Sequence, residues 1–167
     1  MLRRLALLTA APALLLIGSP ARAGVPAPPL PPGAPVTAVA PAELMSEVIT
    51  MTNQQRHANG CGQLAVDPEL TVASIQQSLY MARTGQFSHV WQDGTTFVAR
   101  SHEAGYAEPS GENIAWGYRT ATEVMDAWMA SPGHRENILN CDAHSIGTGV
   151  AYGPTGLPYY TQVFGYE

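Results

Sequence analysis

The 167-residue chain has no lysine: all eight basic side chains are arginine, set against thirteen acidic ones. These arginines do not cluster, so there is no electrostatic footprint for a nucleic acid. Only 13% of residues are charged, which excludes long solvated helices and a disordered acidic tail. There is no Gly-x-Ser-x-Gly elbow, no His-Glu-x-x-His pair and no glycine-rich phosphate loop. No internal repeat is visible. The one long apolar stretch, Leu5 to Ile17, falls short of the roughly 20 residues a membrane span needs. It is broken by Pro12 and followed by Gly18-Ser19-Pro20.

What is present at the N-terminus reads as an export signal. Arg3 and Arg4 precede the apolar stretch, and Ala21-Arg22-Ala23 forms a small-x-small cleavage site. Residues 1–23 are thus expected to be removed, leaving a secreted, extracellular chain that begins at Gly24. Cleavage removes three arginines and no acid, taking the net charge from -5 to -8. An acidic surface of that size disfavours anionic membranes and DNA. No cysteine stands at the cleavage site, so neither a lipid anchor nor any other membrane anchor is expected after cleavage. Residues 24–41 form a Pro-rich linker, extended and solvated, with nothing to build a core from. Residues 42–167 are long enough for one folded domain with its own core, expected to be a monomer.

Within that domain the apolar spacing changes period. A first helix follows Pro41, with Leu44, Val48 and Met51 on its stripe and Met45, Ile49 and Thr52 beside them, ending near Asn59-Gly60. A second is capped by Asp67, starts at Pro68, carries Val72, Ile75, Leu79 and Ala82 as its stripe, and stops at Gly85. A short third helix spans Thr95 to Ala104. A fourth opens with the capping box Thr120-x-x-Glu123, buries Val124 and Trp128, and ends at Ser131-Pro132. A further turn or two runs through His134 to Leu139. Alternation over Ile146–Tyr152 and Tyr159–Phe164, around Gly153-Pro154-Thr155-Gly156, predicts an antiparallel hairpin. Glu112–Trp116 supplies a third strand. The expected class is α+β, a three-layer α-β-α sandwich with a small antiparallel sheet.

Export and an even cysteine count favour a disulfide between Cys61 and Cys141, 80 residues apart. Two free thiols, or a bridge between chains, are the alternatives.

Three segments carry polar residues inside apolar or glycine-rich stretches: Phe87-Ser88-His89, Gly111-Glu112-Asn113-Ile114-Ala115, and Ser131-Pro132-Gly133-His134-Arg135-Glu136-Asn137-Ile138-Leu139. With the closing Tyr160-Thr161-Gln162-Val163-Phe164-Gly165, and in this order, they resemble the bacterial branch of the CAP (SCP-like) superfamily. That superfamily also contains plant pathogenesis-related proteins, insect venom allergens and sperm-coating glycoproteins. The resemblance runs from about Leu44 to Gly165. It implies the α-β-α sandwich, an extracellular role, and a cleft where two histidines meet acidic residues. His89 matches the first family histidine and Glu112 the glutamate of the Gly-Glu-Asn motif. This chain has Ser131 where the eukaryotic pattern has a second acid, and Tyr159 where it has the second histidine. His134, from the bacterial Pro-Gly-His motif, is the natural substitute.

Two imidazoles and a carboxylate suit an open divalent-metal site, zinc for instance, with His89 and His134 as ligands and water completing the set. The same residues also have structural readings. His89 can cap a helix or bond within the core, Glu112 can bind turn amides, and His134 can fix its own loop. His57, His102 and His144 have no motif around them and read as surface or structural residues. Trp91, Trp116 and Trp128 read as core or cleft wall, and Asp93-Gly94 as a turn. Two functions are in play, beside a scaffold whose cluster only rigidifies the cleft. One is a secreted binding module whose cleft takes a lipid, an envelope component or a protein. The other is a metal-dependent hydrolase or peptidase of the cell envelope, with Glu112 as base or ligand.

Overall fold

A computed structural model describes residues 38–167. The expected signal segment, its cleavage site and most of the Pro-rich linker lie outside the described residues. The elements run α1 (Pro41–Ala58), β1 (Ala65–Val66), α2 (Pro68–Thr84), α3 (Phe97–Ala104), β2 (Pro109–Trp116), α4 (Ala121–Ala130), α5 (Pro132–Ile138), β3 (Ser145–Tyr152) and β4 (Pro158–Gly165). The sheet order is β1-β3-β4-β2, with β3–β4 and β4–β2 antiparallel and the two-residue β1 parallel to β3.

The helices form where local chemistry favours them. Asp67 accepts from the Leu70 amide at the start of α2, and Thr120 and Glu123 close a reciprocal capping box on α4. Gly85 and Gly105 end α2 and α3 in the left-handed region.

The strands then divide the helices into two layers. One face of the hairpin presents Ile146, Val150, Tyr160 and Phe164 to Leu44 and Val48 of α1 and to Val124, Met125 and Trp128 of α4. The other face turns to α2 and α3, where Val163 packs on Leu70 and Tyr106, and Ile114 and Tyr159 on Met81. This is the expected α-β-α sandwich.

Two expected helix faces are corrected. On α2 the buried residues are Leu70, Ala73, Ser74, Gln77, Ser78, Met81 and Ala82, while Val72 is 47% exposed and Ile75 and Leu79 are half-buried. The reason lies on β3. Gly147 and Gly149 have no side chains, and a Cβ at either would overlap the α2 backbone at Leu70–Thr71 or Ser74–Ile75. At that separation only small residues fit, and their hydroxyls reach the sheet: Ser74 donates to the Gly147 carbonyl (3.1 Å) and Ser78 to that of Gly149 (2.9 Å). On α1 the buried row continues through Thr52 and Arg56, and Met51 only flanks it.

Arg56 is fully buried, yet its guanidinium bonds four carbonyls: Gly62 (2.8 Å), Ile138 (3.0 Å), Asn140 (2.7 Å) and Ala143 (2.9 Å). The Cys61–Cys141 disulfide ties the same two segments, with a Cα–Cα distance of 4.9 Å. Reduction is expected to lower stability by about 2–4 kcal/mol through the freed loop. Denaturant unfolding with and without a thiol reductant measures this, and coincident curves would assign the fastening to Arg56 alone.

Candidate functional site

The site is built on β2, an edge strand whose outer side faces α4 and α5. Its Ile114 carbonyl accepts from the Trp128 indole N–H and its Glu112 carbonyl from Asn137 Nδ2, both at 3.2 Å. The edge is thereby closed to strand addition at these positions. Gly111 makes room for this contact, since a Cβ there would come within 2.6 Å of Asn137 Oδ1. Asn137 also donates to Asn113 Oδ1 (2.9 Å), and Asn113 donates to the His134 carbonyl (3.1 Å) and to Gln162 Oε1 (3.2 Å). Gln162 in turn donates to Thr52 Oγ1 of α1 (2.7 Å). A buried polar ladder therefore anchors α5 to the sheet, each amide matched by a partner.

His89 lies in the loop after α2. Gln77, fully buried, grips that loop twice: its Nε2 donates to the Ser88 carbonyl and its Oε1 accepts from the Trp91 indole, each at 2.6 Å. Asp93 caps its own turn by accepting from the Thr95 amide, and this bond holds its carboxyl below the usual value. Glu112 reaches the loop from β2. Its side chain is 1% exposed, with Oε1 accepting from His89 Nδ1 (2.8 Å) and Oε2 from Arg100 Nη2 (2.6 Å). Arg100, fully buried on α3, also donates to the His89 carbonyl (3.3 Å) and the Thr95 carbonyl (3.1 Å) and lies 5.4 Å from the centre of the Trp91 ring.

This geometry fixes a tautomer. A carboxylate already accepting from a guanidinium offers His89 only an acceptor, so Nδ1 carries the proton. In its neutral form the ring then presents its Nε2 lone pair outward, on a side chain that is 50% exposed.

Two grooves lie along β2, one beside Ile114 to Trp116 and one beside Gly111 and Glu112, with no lining residue in common. One, of about 320 Å³, is walled by Phe87, Ile114, Trp116, Tyr118 and Trp128, with Ser131 and His134 at its side. Phe87 and Trp116 are half exposed, at 51% and 49%, and Trp116 stacks on Tyr159. The other, of about 540 Å³, holds His89 and Glu112 among Val90, Phe97, Val98 and Asn137. His134 thus stands in the groove beside that of His89. Burial pushes its pKa below the ordinary histidine value, and the charge of a protonated His89 adds to the effect.

A depressed histidine pKa contributes stability that is complete above the unfolded value of about 6.5 and is lost as pH falls through the lower, folded value. His134→Gln is therefore expected to soften the loss of stability below about pH 6.5. Thermal melts from pH 7.5 to 4.5 test this, and superimposable acid limbs for both proteins would refute it.

Of the sequence-derived set, His89 and Glu112 are in direct contact, while His134 lines the other groove and is coupled to His89 only through charge. Glu112 binds two side chains and no turn amides, and Gly85, not His89, caps α2. Cys61 and Cys141 are paired. His57, His102 and His144 are exposed. Sequence reasoning missed Arg100, Gln77 and the bonding of Asn113 and Asn137. The available signal was an arginine directly after the short apolar run Phe97-Val98-Ala99, in a chain with few cations. Among the described residues no three His, Cys, Asp or Glu side chains are gathered closely enough to hold a metal ion. With both Glu112 oxygens engaged, the remaining nitrogen donors of the set are His89 Nε2 in one groove and the His134 ring in the other.

A three-layer sandwich with a histidine–glutamate pair at its edge strand is the architecture of a CAP domain. The chain belongs to the Cysteine-rich secretory protein family (CAP), whose model matches residues 49–164. The uncharacterized protein YkwD of Bacillus subtilis is 37% identical over 105 residues, covering 62% of this chain and 40% of that one. A solved extracellular protein containing an SCP domain from Bacillus anthracis superposes with a TM-score of 0.70 at 27% identity, over 76% of this chain and 41% of that one. An outer surface protein of Borrelia burgdorferi superposes with a TM-score of 0.67 at 22% identity, over 74% of this chain and 92% of that one. The chain thus spans about two fifths of the length of the two Bacillus proteins.

Proposed function

We propose that this chain is a secreted CAP-domain binding module whose cleft takes a ligand with an apolar body and a hydrogen-bond donor. The observation that carries the reading is the pairing of an aromatic groove with one oriented imidazole. Phe87 and Trp116 supply exposed apolar surface, and His89 in the neighbouring groove, held by Glu112 and Arg100, offers a single acceptor at Nε2. Lipids and envelope components have this mixed character. Export rests on the N-terminal signal pattern, and no helix among the described residues is long and apolar enough to cross a membrane. Hydrolysis is the second reading, favoured by the same imidazole, which can act as a base toward a bound water.

One experiment separates the two. The exported protein, which should begin at Gly24, is titrated with a lysolipid and with soluble peptidoglycan fragments, and the same compounds with peptide and ester panels are assayed for turnover with and without zinc. Binding weakened about tenfold by Phe87→Ala with Trp116→Ala, without turnover, supports the module. Turnover abolished by His89→Ala moves the assignment to the hydrolase. No binding of either class would overturn the module reading.

Zinc in this cleft would be held by His89 Nε2 and His134 with water, while Glu112 stands behind His89 as its orienting partner and adds no third ligand. It would supply a Lewis acid at the mouth of the cleft. Calorimetry should then find weak binding that is lost in His89→Ala and His134→Ala and about 10–100-fold weaker in Glu112→Gln.

A further inference from the structure

A third groove, of about 390 Å³, lies away from this cleft, between α2, the Trp91 loop and α3. Its wall includes Tyr80 and Trp91, stacked with centroids 5.0 Å apart and planes at 16°. Both rings are half-buried, which leaves part of this aromatic surface uncovered. The polar groups of both rings are already engaged: Trp91 Nε1 by Gln77, and Tyr80 Oη by Gln86 and the Gln92 amide. With Tyr80 stacked on it and Arg100 over it, Trp91 offers the groove the uncovered part of its rim, beside the Tyr80 ring.

Around that surface stand charges of opposite sign. Arg83 comes from the last turn of α2 and Glu103 from α3, both exposed. Neither forms an ion pair with the other or with any other described residue, although they line one groove. The side-chain oxygen of Gln76, in the same wall, is buried and has no hydrogen-bond partner. A buried acceptor without a donor is uncommon in folded proteins. The groove thus combines aromatic surface, a cation that can bind a carboxylate bidentately and an anion that can bind an ammonium, with an unmet acceptor buried in the wall behind them.

We propose that the α2–α3 groove binds a zwitterionic amino compound with an aromatic side chain, of the size of a free aromatic amino acid. The carboxylate pairs with Arg83, the ammonium with Glu103, and the ring lies against Tyr80 and the rim of Trp91. The site shares no lining residue with the His89–Glu112 cleft, so it holds whether or not that cleft is a binding site.

The test is an NMR titration of the full domain with L-phenylalanine, read at the Trp91 indole N–H. The controls are N-acetyl-L-phenylalanine amide, which lacks both charges, and L-alanine, which lacks the ring. L-Phenylalanine should give a saturable shift with a Kd of about 1 mM or tighter, and both controls should bind at least about tenfold more weakly. Arg83→Gln and Glu103→Gln, both at exposed positions, should each weaken binding about fivefold or more while leaving the spectrum otherwise native. No saturable shift by about 20 mM, equal binding of the uncharged amide, or unchanged affinity in both variants would overturn the proposal.

Discussion

Gly147→Val is expected to yield no stably folded domain. The position lies on the strand face against α2, and even a Cβ there would overlap the helix backbone at Leu70 and Thr71. Backbone cannot swing aside as a side chain can. The helix would have to lift off the sheet, breaking the Ser74 and Ser78 bonds to the strand carbonyls and opening the contacts of Leu70 and Met81. Ordinary overpacking costs about 1–3 kcal/mol, and a clash with backbone belongs at or above the top of that range. Against a total stability of about 5–15 kcal/mol, the loss of one whole layer contact is decisive. Circular dichroism and denaturant titration of the purified variant test this. Gly62→Val, at a glycine with no atom within 4 Å of a built Cβ, is the control and should fold normally. A Gly147→Val protein with wild-type melting would show that the α2–sheet spacing is softer than described.

Arg100→Met is expected to cost about 3–5 kcal/mol at neutral pH, because it leaves a fully buried carboxylate without its cation. Glu112 is 1% exposed and would retain only its bond to His89. The double variant Arg100→Met with Glu112→Gln should recover much of that loss, since the uncompensated charge is gone. Urea unfolding of the two single variants and the double variant gives the coupling as a double-mutant cycle. Additive costs would mean that the two side chains do not act as a pair. The cleft provides an independent readout. Without Arg100 the His89 carbonyl and the Glu112 carboxylate both lose a fastening, so the His89 ring resonances should broaden even where the fold survives.

The parts of the fold that the chain spells out locally were legible in advance. Asp67 with Pro68, Thr120 with Glu123, and the stop glycines Gly85 and Gly105 act over three or four residues, and each marks an observed helix end. The hairpin was equally plain, because its alternation and its turn adjoin in sequence. What failed were features decided by a distant partner. The buried face of α2 is chosen by two glycines more than seventy residues away, so the more apolar row of Val72, Ile75 and Leu79 loses to Ser74 and Ser78. β1 has two residues and no period of its own, and exists because β3 passes beside it. At the site, motif resemblance picked out His89, Glu112 and His134. It could not reveal that Glu112 is shared between His89 and an arginine on another helix, which moves it from ligand candidate to orienting partner.

The four carbonyls gathered by Arg56 form a second clasp beside the disulfide. They belong to Gly62, next to Cys61, and to Ile138, Asn140 and Ala143, around Cys141. One guanidinium thus binds both of the segments that the bridge joins, through bonds that no reductant breaks. The sequence holds only two cysteines, so within one chain there is a single pair to form and no wrong partner to shuffle away from.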